Sequence, residues 1–124
     1  MFFHICLIAP PSNLRHSLAT LLAALTRGEP INEYSTIDVA LQEAASLRLG
    51  MLIVDSATLG SEPARACEQL QRQWTQAAIV VLLAEQEPTV VEPFPPDVTP
   101  VTAGTAASQL RMLFDKLLQE LRKK

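Results

Sequence analysis

The chain is 124 residues long and poor in the residues from which phosphate, metal and nucleophile sites are built. Its four glycines, Gly28, Gly50, Gly60 and Gly104, form no GxG. A glycine-rich loop wrapped around a nucleotide or flavin phosphate is therefore excluded. Ser12 and Asn13 could offer N–H groups to an anion, but Ser12 reads more simply as a helix cap. The two cysteines, Cys6 and Cys67, show no CxxC or metal spacing and read as reduced core residues of a cytoplasmic protein. His4 and His16 fall on different elements without an evident partner, which leaves no nucleophile–base pair. No acidic residue precedes Glu29, and no lysine precedes Lys116. The N-terminal run MFFHICLIAPP is too short to span a bilayer and lacks the basic start of a signal peptide.

What is present is apolar and regularly spaced. Hydrophobic residues make up 48% and charged residues 19%, the balance of a soluble globular chain, here expected to form one domain over 1–124. The net charge of −3 carries no message for nucleic acid or membrane. Basic residues are scattered except for Arg122, Lys123 and Lys124, which suit the negative end of a helix dipole.

Strand and helix signals alternate along the chain. Phe2 to Ala9 reads as a strand covered on both faces, stopped by Pro10-Pro11. Ser12 caps a helix with the stripe Leu14, Leu18, Leu21, Leu22 and Leu25, and Gly28 supplies its stop. Ile31 to Thr36 is a second strand. Asp38 opens an alanine-rich helix (Leu41, Ala44, Ala45, Leu49) that ends at Gly50. Met51 to Val54 is a third strand, closed by Asp55. Pro63 starts a helix with Ala66, Cys67, Leu70 and Trp74 on one side. Ala77 to Ala84 reads as the most buried strand. The stretch EQEPTVVEPFPPDVTP then carries five prolines, and each would cost about 3 kcal/mol inside a helix. Val98 to Thr102 is a short fifth strand, and Leu110, Leu113, Phe114, Leu117, Leu118 and Leu121 stripe a final helix. Such alternation predicts an α/β fold with right-handed crossovers: a flavodoxin-like, doubly wound, five-stranded parallel sheet in the order 2-1-3-4-5. The proline-rich stretch predicts that the helix between the fourth and fifth strands is missing or very short.

In such sheets the functional crevice lies beyond the carboxyl ends of the strands, here near Ala9, Pro10 and Asp55. With GMLIVDSATLG ending the third strand in Asp55 and NLRHSLATLL opening the first helix, the chain resembles the receiver domain of bacterial two-component response regulators over its whole length. The resemblance implies that Asp55 is the equivalent of the phosphoryl acceptor. It also implies an acidic pair after the first strand to hold Mg²⁺, a hydroxyl residue ending the fourth strand and a lysine after the fifth. This sequence departs from all of these. Ala9 and Pro10 stand at the acidic pair, Leu83 or Ala84 at the hydroxyl, and Thr102 or Ala103 at the lysine; Lys116 lies too far along the last helix. An acyl phosphate would bring about two negative charges to a strand end with no cation to meet them.

The expectation is a pseudo-receiver: a non-enzymatic signalling module of two-component or phosphorelay type. It has no metal and no cofactor, is not phosphorylated at Asp55, and acts by protein contact. The partner would be a kinase, an output domain or a second copy of the chain in a homodimer, with no nucleic acid and no membrane. Val90, Val91 and Phe94 are candidate partner contacts, with the alternative that they fold back over the sheet. Two other readings are a regulator phosphorylated on Asp55 and a small-molecule-binding flavodoxin-like domain.

Overall fold

The apolar runs form the sheet that their pattern predicts. The computed structural model describes residues 3–83, 95, 97–102 and 107–123. The strands are β1 (His4–Ile8), β2 (Ile31–Tyr34), β3 (Leu49–Asp55), β4 (Ala78–Leu83) and β5 (Val98–Thr102). They pair in parallel in the order β2-β1-β3-β4-β5, a flavodoxin-like doubly wound sheet. β3 lies at the centre and is buried from Leu49 through Val54, as a strand covered on both faces must be. Pro100 is tolerated because β5 is an edge strand of this sheet, where a missing N–H leaves no gap in a central ladder.

The described helices are α1 (Asn13–Leu25), α2 (Ile37–Glu43), α3 (Pro63–Gln73) and α4 (Ala107–Arg122). One face of the sheet packs Ile5, Leu7, Met51, Ile53, Val80 and Leu82 against Leu18 and Leu22 of α1 and Leu110, Phe114 and Leu118 of α4. The other face sets Cys6, Leu52, Val54, Ile79 and Val81 against Ala40 of α2 and Cys67 and Leu70 of α3. Alternate residues of each strand thus serve two cores, the consequence of a period of two between covered faces. The expected fourth helix falls in the stretch between β4 and β5, most of which lies outside the described residues. Ala84, Val90, Val91, Phe94 and Ala103 also lie outside them.

Several local expectations change. α1 stops at Thr26, whose N–H bonds the Leu22 carbonyl at 3.0 Å; Gly28, at φ 101°, forms the turn beyond. α2 starts at Ile37 under a Thr36 cap, with Asp38 inside its first turn, and ends at Glu43 rather than at Gly50. Its end is held in part from outside: the Trp74 indole N–H donates to the Ala44 carbonyl at 3.2 Å, and the Gln73 amide to the Ala45 carbonyl at 3.2 Å. The Leu47 N–H also takes the Ala44 carbonyl at 3.0 Å, so a local turn and the end of α3 together hold the chain where the helix stops. Gly50 is a β3 residue, and the ring of Phe3 occupies the place of its absent Cβ, 2.5 Å from the nearest ring carbon. His4 has a partner after all, its Nδ1 lying 3.1 Å from Oδ1 of Asn32 on the neighbouring strand.

Candidate functional site

The strand ends gather the predicted positions along one edge of the sheet. Ala9 follows β1, fully buried, with its N–H on the Tyr34 carbonyl at 3.0 Å; Pro10 beyond it is exposed. Asp55 ends β3 beside Leu82 of β4, and Leu83 ends β4 beside Thr102 of β5. The geometry therefore sets Ala9, Asp55, Leu83 and Thr102 in sequence along the carboxyl edge, with apolar side chains at two of these positions.

Asp55 is committed locally. Its Oδ1 accepts the Ala57 N–H at 2.9 Å, capping the 3-10 turn Ser56–Thr58, and its carbonyl accepts the Thr58 hydroxyl at 2.7 Å. An aspartate bonding the N–H two residues on is an Asx turn, the turn-forming role that Asp55-Ser56 suggests in sequence. Among the described residues no group of three or more His, Cys, Asp or Glu could hold a metal ion.

Arg15 places a cation on this edge, a role the sequence reading missed. Its Nη1 donates to the Ala9 carbonyl at 3.1 Å and to the Ser35 hydroxyl at 3.2 Å, while Nε lies 3.4 Å from Oε1 of Glu33. One guanidinium thus ties the loop after β1 to the loop after β2. Arg15 stands three residues past Ser12, whose hydroxyl accepts the Arg15 N–H at 3.1 Å. The helix position was legible; the long-range targets were not.

At the opposite edge, Arg122 grips Glu29 with two bonds of 2.9 Å and donates to the Leu25 carbonyl at 3.1 Å. The pair is mostly buried, with 18% and 10% side-chain exposure. Hydrogen bonding from Arg122 is the main cause that holds the Glu29 carboxyl at about 2, against an ordinary 4.5. The cysteines stay protonated, burial pushing Cys6 up to about 12 and Cys67 up to about 11, so neither is a reactive thiolate.

These elements define a doubly wound α/β domain with its crevice edge at Asp55. The chain matches no family model and no curated protein. It does match solved structures. A response regulator receiver domain protein from Bacillus halodurans superposes with a TM-score of 0.71 at 17% identity, over 94% of this chain and 97% of that one. A lysine decarboxylase from Francisella novicida gives 0.72 at 10% identity over 98% of this chain, and the constitutive lysine decarboxylase of E. coli gives 0.66 at 14% over 98%. The chain spans less than a fifth of either decarboxylase, 18% and 17% of their lengths. At such identities the likeness is one of fold, matched over nearly all of the first neighbour's chain and a small part of the other two.

Proposed function

We propose that this domain is a pseudo-receiver: a bacterial, cytoplasmic signalling module, not an enzyme, that acts by protein contact without accepting a phosphoryl group at Asp55. The observation that carries the reading is the carboxyl edge of the sheet. Phosphoryl transfer to an aspartate needs Mg²⁺ ligands and a cation beside the developing charge. Here Ala9 and Pro10 supply neither, Leu83 offers no hydroxyl, and Asp55 already accepts the Ala57 N–H. Each missing charge-assisted contact forfeits about 1.5–3 kcal/mol.

A module that transmits by contact needs a stable surface, and the Arg15 tie between the first two loops supports a fixed edge rather than a switching one. The partner in this reading is a kinase, an output domain or a second copy. No helix among the described residues is long and apolar enough to cross a membrane.

The test is incubation with Mg²⁺ and a small acyl-phosphate donor, read by intact mass beside Asp55→Asn. The reading expects no added phosphoryl group in either protein. A phosphoryl adduct in the native chain that disappears in Asp55→Asn would overturn it.

A further inference from the structure

The last turn of α4 is held differently from the rest of that helix. Leu110, Phe114 and Leu118 fasten α4 to the sheet as buried core residues, but beyond Leu118 no residue of the helix is buried. Leu121 reaches the margin of the core and stays half-buried. The floor beneath it is low, because β4 opens on the small Ala78 and Gly50 has no side chain. The result is a cleft of about 410 Å³ at the amino edge, with Leu117 and Leu121 on one side and Phe3, Gly50 and Ala78 on the other. A cleft supplies no packing contacts, so apolar burial does little to hold residues 119–123 in place.

Arg122 does that work with polar bonds. Its Nε donates to Oε2 of Glu29 and its Nη2 to Oε1, each at 2.9 Å, and Nη2 also donates to the Leu25 carbonyl at 3.1 Å. That carbonyl ends α1 and has no acceptor role within its own helix. The socket is built without help from α4. Glu29 Oε1 accepts the Arg27 N–H at 2.6 Å across the turn that Gly28 makes at φ 101°, which fixes the carboxylate beside the end of α1. A planar guanidinium meets such a carboxylate through two parallel bonds, a fit that a single ammonium does not reproduce. We propose that the last turn of α4 is a latch. Residues 119–123 open and close as a unit, held shut by Arg122 in the socket of Glu29 and the Leu25 carbonyl, and opening widens the amino-edge cleft while the sheet stays folded. The latch lies at the edge opposite Asp55 and stands whether or not that carboxylate is phosphorylated.

The test is native-state hydrogen exchange of the full chain, followed by NMR over urea concentrations below the unfolding transition, with Arg122→Ala and Arg122→Lys alongside. In the native chain the amides of 120–123 should be protected and should exchange through an opening that urea barely promotes. Those of 51–54 in β3 should exchange only through global unfolding, with its full urea dependence. Arg122→Ala should lower protection at 120–123 about tenfold or more, to near that of an unstructured peptide, while β3 stays strongly protected. Arg122→Lys should recover little of it. Adding methylguanidinium to Arg122→Ala should shift the amides of 27–29 towards their native positions, and methylammonium at the same concentration should not. Amides of 120–123 that keep their protection in Arg122→Ala would overturn the latch, as would a native chain in which they are unprotected or share the urea dependence of β3. So would a lysine variant that behaves as native, or equal shifts from the two cations.

Discussion

The two edges of the sheet are built on opposite plans. At the carboxyl edge, polar groups are consumed by the protein itself: Asp55 by Ala57, the Ala9 carbonyl and Ser35 by Arg15. At the amino edge a cleft stays open beside Asp97 and Glu120, and the Arg122–Glu29 pair braces α4 against the end of α1. The difference teaches where this fold keeps its options. A doubly wound sheet is specified by apolar periodicity, which this chain retains throughout, whereas the chemistry of its crevice rests on a handful of side chains that can be replaced without disturbing the two cores.

The largest expected effect breaks both edges together. Phe114 is fully buried between α4 and the sheet, so Phe114→Ala should cost about 3–5 kcal/mol in urea unfolding and raise hydrogen exchange at both edges. The next separates them. Arg122→Ala removes the partner of a mostly buried carboxylate, at a cost of about 1–2 kcal/mol after solvent screening, and should loosen the amino edge alone. It also carries a pH signature. Because the folded Glu29 carboxyl titrates at about 2 and an ordinary one at 4.5, its contribution is fully present above 4.5 and is lost as pH falls towards 2. Arg122→Ala should flatten that acid limb of the stability curve; an unchanged limb would mean that Glu29 is not held by Arg122.

Smaller effects belong to the carboxyl edge. Arg15→Ala should cost about 0.5–1.5 kcal/mol and speed exchange around residues 9–13 and 33–37, leaving the Arg122 region as it was. Asp55→Asn should change the unfolding midpoint least, by under about 0.5 kcal/mol, because the amide oxygen can still accept the Ala57 N–H. A large destabilisation from Asp55→Asn would show that the charge itself matters at that position.

How much of this could be read from residues alone follows from the range of the interaction. β5 runs from Val98 to Thr102 as its short apolar alternation predicts, and α1 and α4 follow their leucine stripes, because period and cap are local signals. Asp55 as a turn former is equally local. The end of α2 was not legible: Leu49 continues the helical stripe of Leu41 and Ala45, yet it belongs to β3, after a local turn from Ala44 to Leu47 that Trp74 and Gln73 help to hold. Gly50 looked like a helix stop and is instead where Phe3 needs room. Arg122 suited a helix dipole, but its carboxylate partner lies 93 positions away. The Arg15 tie and the amino-edge cleft were missed for the same reason. Each joins elements whose nearness exists only once the sheet has formed.

In the proposed reading, the carboxyl edge of the sheet carries no phosphoryl chemistry at Asp55. The most direct measurement adds Mg²⁺ and beryllofluoride, a mimic of a carboxyl-bound phosphoryl group, to the isotope-labelled chain and records its amide spectrum. Spectra that superimpose with and without the additions, at Asp55, Ser56 and Ala9 above all, are what the account predicts. A saturable shift at Asp55 and its neighbours that needs both Mg²⁺ and beryllofluoride, and is lost in Asp55→Asn, would contradict it.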